Sequence, residues 1–217
     1  MAKAPEAQLR RLMSRAAACR ACPGMGCRPV LSAANGLSSA RVMFVGEAPG
    51  HLGAGRTGVP FSGDTAGARF ERLLAEAGLT REEVFVTNAA LCLPLNVRGR
   101  NRPPSAGEVA ACSGWLGETI AVVKPALVVA LGAIALTALA RIEPHGLILR
   151  EHLRTVVPWR GAGLTALYHP GARSQVHRPW PQQVNDWQAL GTFVRACKDN
   201  SKNPGRIPPR GLTAQQS

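Results

Sequence analysis

Aromatic residues are scarce in this sequence, at 5%, which excludes a broad platform on which many rings stack in series. No apolar run approaches the ~20 residues needed to cross a bilayer. The longest such run, Ala126–Ala140, is broken by Gly132 and Thr137 and reads as strand, turn and helix. Acidic residues are also few, 13 against 26 Lys and Arg, for a formal net charge of +13. That excess points to a polyanionic partner, nucleic acid ahead of an anionic membrane surface; an arginine-favouring composition without such a partner gives the same arithmetic. A secretory h-region is lacking, since Met1–Arg15 carries Arg10, Arg11 and Arg15 with no apolar stretch behind them. The expected setting is therefore the cytoplasm, where paired disulfides are uncommon, and the six cysteines call for metal, catalysis or burial instead. There is no internal repeat.

What is present fits one domain. A chain of 217 residues with 46% hydrophobic composition is long enough to bury a core. Strands alternate with helices, the pattern of a parallel sheet covered on both faces. The expected architecture is α/β, a three-layer αβα sandwich around a central four-stranded parallel sheet. Pro5–Ala18 reads as a short basic helix. Strands are expected at Arg41–Gly46, Val84–Asn88, Ala126–Leu131 and Leu164–Tyr168, with a short edge strand at Thr155–Trp159. Asp64 or Thr65 caps a helix running through Ala77, with a stripe of Phe70, Leu73, Leu74 and Ala77 and a stop at Gly78. Ser105 and Glu108 form a capping box for a helix to about Val123. Further helices are expected at Ala133–Arg141 and Pro181–Cys197. The globular domain ends at residue 197, and Lys198–Ser217, basic and rich in Pro and Gly, reads as a disordered tail.

In open α/β sheets ligands bind beyond the carboxyl ends of the strands. Here those loops begin at Gly46, Asn88, Gly132 and His169, and three of the four carry unusual polar residues. Cysteines add a second feature. Cys19 and Cys22 are spaced C-x-x-C, with Pro23 and Gly24 to turn the chain; Cys92 and Cys112 lie far along it. Four thiolates gathered by folding suit an iron–sulfur cluster or a structural zinc, while Cys92 and Cys112 read equally as small buried hydrophobes. Cys27 competes as a third N-terminal ligand, and Cys197 reads as a core residue.

Four segments stand in order: Val45-Gly46-Glu47-Ala48-Pro49-Gly50, then Arg56-Thr57-Gly58-Val59-Pro60-Phe61-Ser62-Gly63-Asp64, then Thr87-Asn88-Ala89-Ala90-Leu91-Cys92, then Tyr168-His169-Pro170. Together with the interleaved cysteines this set resembles the iron–sulfur uracil-DNA glycosylases, families 4 and 5. The first segment is more like family 4 and the second more like family 5. The resemblance implies a 4Fe-4S cluster on Cys19, Cys22, Cys92 and Cys112, although the interval between the last two is longer than the families suggest. It also implies a monomer acting in base-excision repair on DNA containing uracil or another deaminated base, with no membrane partner, in the bacterial cytoplasm beside the nucleoid.

Such a reaction passes through a cationic sugar and an anionic base. The enzyme must evert the nucleotide, hold the base, stabilise both charges and direct water. The resemblance places Gly46, Ala48, Phe61 and Asn88 around the base, Phe61 as the stacking ring and Asn88 on its Watson–Crick edge. His169 would donate to the base carbonyl. Glu47 and Asp64 compete for the water, with Asp64 preferred and its alternative role that of a plain helix cap. Ala48 stands where the classical family has an activating Asp. Gly53 stands where family 4 has an acidic residue, which suggests room for a larger base. Arg173, Ser174, Gln175 and Arg178, after His-Pro, would enter the minor groove and contact phosphates. Arg98, Arg100, Asn101 and Arg102 form a second candidate phosphate surface. One related group traps the sugar on a loop histidine; the basic insertion that accompanies this is absent here, so trapping at His177 is not expected. No lysine lies within the four segments, so neither a Schiff base nor strand cleavage is expected. A catalytically silent DNA-binding member is the alternative.

Overall fold

The computed structural model describes residues 4–199. In chain order its elements are α1 (Ala4–Ala17), β1 (Val42–Gly46), a single turn α2 (Ala54–Thr57), α3 (Thr65–Glu76), β2 (Val84–Asn88), α4 (Ala106–Val123), β3 (Leu127–Leu131), α5 (Ala133–Ile142), β4 (Val157–Trp159), β5 (Ala162–Leu167) and α6 (Trp180–Asp199). The sheet order is β2-β1-β3-β5-β4. β2, β1, β3 and β5 are parallel, and β4 pairs antiparallel with β5 at the edge. The four-stranded parallel sheet is thus extended to five strands. The addition is a hairpin whose two turn residues, Arg160 and Gly161, have φ of 49° and 76°, the left-handed pair that a tight β-hairpin requires. Pro158 sits in this edge strand, where its missing N–H costs nothing.

The parallel strands are buried throughout and mostly apolar because both faces are covered. Alternate residues go to opposite layers. Met43, Val45, Val128 and Ala130 pack beneath α1, α4 and α5, with Leu12, Leu116 and Leu139. Val42, Phe44, Val129 and Leu131 pack beneath α3 and α6, with Phe70, Leu73, Trp187 and Leu190. Chain direction brings the ends together. From β1 the chain leaves toward β2, and from β3 toward β5, so a crevice opens beyond their carboxyl ends, the usual ligand position in such sheets.

The final helix runs two residues past the expected Cys197, to Asp199; the rest of the expected basic tail lies outside the described residues. Among the described residues no helix is long and apolar enough to cross a membrane.

The capping box of α4 forms as expected, with Ser105 accepting from the Glu108 N–H and Glu108 from the Ser105 N–H. Arg102 then grips the same carboxylate through two hydrogen bonds of 2.7 and 2.6 Å. Arg102 first, and then the capping N–H, pull the Glu108 pKa down to about 2. A carboxylate depressed on folding stabilises above its ordinary value of 4.5 and loses that contribution as pH falls toward 2. Denaturant midpoints of the wild type are therefore expected to fall across this window, and those of Glu108→Gln to fall less. Equal falls in the two proteins would refute the assignment.

Candidate functional site

The carboxyl ends of β1, β2 and β5 and the loop before α3 enclose a hollow of ≈ 370 Å³, within the ~300–1,000 Å³ of small-ligand sites. Glu47, Ala48, Phe61, Asp64, Asn88, His169, Arg173 and Ser174 all line it. Register explains the convergence at one end. Gly46 is the partner of Asn88 across the parallel ladder, and the ladder continues one step further as the Ala89 and Ala90 N–H groups donate to the Gly46 and Glu47 carbonyls. Glu47 and Asn88 therefore leave the sheet side by side.

Gly46 does not itself line the hollow but makes it possible. A Cβ there would lie 2.5 Å from Asn88 Oδ1 and 2.9 Å from the Phe61 ring. Phe61 is held as tightly from behind: a Cβ on Gly67 would meet the Phe61 carbonyl oxygen at 2.6 Å. Its φ of 51° is unusual for a side chain of this size and costs ~1–3 kcal/mol. One ring face stacks on Phe70 at 4.6 Å and 21°, and the His169 ring lies 5.3 Å away. Asn88 is only 3% exposed. None of its side-chain hydrogen-bonding capacity is spent on the protein among the described residues, so a buried amide is left for a ligand to satisfy.

His169 is partly buried, and the Gly171 N–H donates to its Nδ1 at 2.9 Å. That bond fixes the neutral tautomer with the proton on Nε2. Burial is the main cause that lowers the His169 pKa to about 4, opposed by Asp64. The ring is thus an uncharged donor at neutral pH.

Asp64 is a helix cap and also lines the hollow. Oδ1 caps α3 by accepting from the Gly67 N–H at 2.8 Å, while Oδ2 lies against the Gly50–Gly53 turn, close to where Cβ atoms of Gly50 and Gly53 would stand. Gly53 is outside the lining of the hollow. The space its missing side chain leaves is taken by the Asp64 carboxylate, so it does not enlarge the hollow for a bigger ligand. Burial pushes the Glu47 carboxyl pKa up, and Arg173 draws it part of the way back.

Other expected residues are placed differently. Arg178 is committed to Asp186, with hydrogen bonds of 2.8 and 2.7 Å to a carboxylate 1% exposed. It anchors the turn at residues 172–176 to α6 instead of facing the hollow. Gln175 and His177 are outside the lining. Arg102 is held by Glu108, whereas Arg98 and Arg100 are exposed at the tip of a turn organised by the Asn96 side chain. Asn101, expected only as part of the phosphate surface, accepts from the His51 N–H and lines the hollow beside Arg102.

Behind the sheet end, Cys19, Cys22, Cys92 and Cys112 line a second, open hollow of ≈ 630 Å³, and Cys27 lines it too. The segment is knitted together by Gly26 and Val30 N–H groups donating to the Leu93 and Leu91 carbonyls, and by the Leu93 N–H donating to Cys27 Sγ at 3.2 Å. Burial first, and then the neighbouring thiols, push the Cys92 pKa to about 12. No group of three or more His, Cys, Asp or Glu side chains among the described residues is arranged to hold a single metal ion.

A strand-end hollow with a fixed ring, a buried free amide, a neutral imidazole and two carboxylates is built to hold a flat polar ligand, and comparison with known proteins gives the family. Residues 34–190 match the family described as the uracil DNA glycosylase superfamily. The chain belongs to that superfamily. It is 40% identical over 119 residues to a type-4 uracil-DNA glycosylase of Thermotoga maritima, 55% of this chain and 59% of that one. It is 36% identical over 145 residues to a type-5 uracil-DNA glycosylase of Pyrobaculum aerophilum, covering 61% and 62% of the two chains. A type-4 uracil-DNA glycosylase of Archaeoglobus fulgidus is 31% identical over 170 residues, covering 72% and 78%. The chain thus spans less than two thirds of the Thermotoga and Pyrobaculum relatives.

Nitrogen NMR of His169 at pH 7 is expected to show one protonated ring nitrogen, Nε2, and no second proton until the pH approaches 4. A ring titrating near 6.5 would contradict the buried, neutral assignment.

Proposed function

We propose that this protein is a monofunctional DNA glycosylase that hydrolyses the N-glycosidic bond of uracil in DNA, leaving an abasic site for base-excision repair. The observation that carries the reading is the buried, unspent Asn88 amide beside the open face of Phe61. An everted uracil stacks on that face and offers Asn88 the donor and acceptor of its Watson–Crick edge. His169 Nε2–H is the donor for the base carbonyl as negative charge develops. A neutral donor suits this role because it stabilises the anion without surrendering its proton. Asp64 orients the water. Its cap fixes one oxygen and so fixes the direction of the other, a preorganised arrangement. Glu47 supplies a second negative charge for the cationic sugar. Arg173 and Ser174, at the rim, and the exposed Arg98 and Arg100 face the phosphates. The protein is taken to act as a monomer.

Cys19, Cys22, Cys92 and Cys112 would hold a 4Fe-4S cluster. Support comes from the donor set, four thiols around one hollow. A cluster is a larger body than a single zinc, whose thiolates would each stand ~2.3 Å from one point, and an open hollow of ≈ 630 Å³ has room for it. Through Cys19 and Cys22 after α1, Cys92 on the chain leaving Asn88 and Cys112 on α4, such a group would tie these three segments to one another and would supply structural support. Cys27 already accepts a backbone hydrogen bond and serves as support.

Single-turnover assays on a uracil-containing duplex are expected to show base release and no strand cleavage, with hypoxanthine and xanthine as the further bases to assay. Asp64→Asn keeps a good helix cap. It is therefore expected to retain thermal stability while losing about 100-fold or more in rate. Binding of uracil DNA without release of any base would favour the silent DNA-binding alternative. Purified protein is expected to be brown, with sulfur-to-iron charge-transfer absorbance that Cys112→Ser abolishes and Cys27→Ser keeps. Bound zinc in place of iron would overturn the cluster assignment.

A further inference from the structure

We propose that Arg81 is a positioning residue for the stacking ring: it locks the Phe61 backbone and ring through Pro60 and Phe70, and so acts on the base and not on the DNA strand. The proposal rests on the reading of the hollow as a nucleobase site.

Arg81 lies in the turn between α3 and β2, outside the lining of the hollow. Its side chain is 21% exposed. Of its two acidic neighbours, Glu71 and Glu82, Glu71 stands at 3.9 Å, too far for a charge-assisted hydrogen bond, and Glu82 forms no ion pair with it. Nη1 is buried without a hydrogen-bond partner. A guanidinium so poorly compensated is costly to bury, and an apolar side chain would serve the packing better. Its two good contacts both lead to Phe61. Nη2 donates to the Pro60 carbonyl at 2.9 Å. The guanidinium carbon sits 5.6 Å from the centroid of Phe70, the ring on which Phe61 stacks.

The geometry at the Phe61 Cα gives these contacts meaning. The peptide plane before Phe61 contains the Pro60 carbonyl, which Arg81 holds. The peptide plane after it packs on Gly67, within 2.9 Å of a Cβ built there. With both planes held, φ and ψ of Phe61 are set, and the left-handed value of 51° is kept against its intrinsic cost. Thr57, whose hydroxyl bonds to Val59 and to the Ser62 carbonyl, braces the same loop on either side without a side-chain hydrogen bond to Pro60 or Phe61. Arg81 and Phe70 thus form a rear support, and the opposite face of Phe61 is left for the base.

The test uses the full chain, with Arg81→Met and Arg81→Lys each made alone and in a Phe61→Leu background. Readouts are single-turnover uracil release, binding of a duplex carrying a stable abasic analogue, and a crystal structure of Arg81→Met. Arg81→Met is expected to slow release about 10- to 100-fold, the penalty of a misplaced reacting group, with abasic-site binding unchanged because no base is there to stack. Arg81→Lys, which retains a cation and a donor, is expected to restore part of the rate. In the Phe61→Leu background neither substitution should cost anything further. Equal losses in both backgrounds, or abasic-site binding that weakens in step with the rate, would overturn the proposal. If Arg81→Met does not fold, Arg81→Lys carries the same comparison. The crystal structure reads the proposal without activity: Phe61 is expected to leave the left-handed region, and a ring and backbone that stay in place would overturn it. Failure of the wild type to release uracil would count against the pocket assignment and leave that structural comparison standing.

Discussion

Two missing side chains hold the site together. Gly46 ends β1 with no Cβ, so the edge of the Phe61 ring can press against the sheet. Gly67, in the first turn of α3, lets the Phe61 carbonyl rest on the helix. A residue of ordinary size at either position would push Phe61 outward. The ring is then set by an aromatic stack that runs from Phe61 through Phe70 to Phe44 and Trp187 in the core, so a surface feature is tied to the most buried part of the molecule. Packed interiors shift between discrete arrangements and do not deform smoothly, and a ring mounted in this way has a defined position before any ligand arrives.

The electrostatics follow from burial and from backbone groups more than from charge partners. Desolvation keeps His169 neutral, and a single backbone N–H selects its tautomer. Asp64 is directed by the helix it caps. The Glu47 carboxyl, half-buried, has its pKa raised by burial, with Arg173 opposing the shift. The hollow therefore offers a neutral donor on one side and carboxylates on another, an asymmetry suited to a bond that separates an anion from a cation. The arginines of these loops divide in the same way. Arg102 and Arg178 are spent on Glu108 and Asp186 and hold loops in place, while Arg98, Arg100 and Arg173 keep their charge available at the surface.

Much of this was legible in the residues alone. Strands such as Val42–Gly46 announce themselves as short apolar runs closed by glycine, and the loops beyond their carboxyl ends gather ligands by topology; the choice of Glu47, Phe61, Asp64, Asn88 and His169 came from the resemblance of the four segments to the iron–sulfur uracil-DNA glycosylases, and all five line the hollow. The helix caps at Asp64 and Ser105 were readable because capping is local. What escaped is long-range or geometric. Arg178 looks like a phosphate contact until Asp186, buried on α6, is seen to claim it. Arg81 carries no motif, and its partners, Pro60 and Phe70, are defined only by the folded loop. Gly53 seemed to enlarge the pocket, but the relevant neighbour is the Asp64 carboxylate, which a linear reading does not bring near it. The edge strand itself was expected at Thr155–Trp159 and forms over Val157–Trp159; only its antiparallel pairing was not read, because Arg160-Gly161 is a turn pair weaker in sequence than the usual Asn-Gly.

The cysteine hollow and the base hollow share one piece of chain, Asn88–Cys92, so the amide expected to read the base and a thiol expected to bind iron are four residues apart on a single short segment. The account is tested most directly by a crystal structure of Asp64→Asn with a duplex containing one uracil. The expected result is an everted uracil on the free face of Phe61, its Watson–Crick edge on the Asn88 amide and its carbonyl oxygen on His169 Nε2. A uracil that stays stacked in the duplex, or that lodges away from Phe61 and Asn88, would contradict it.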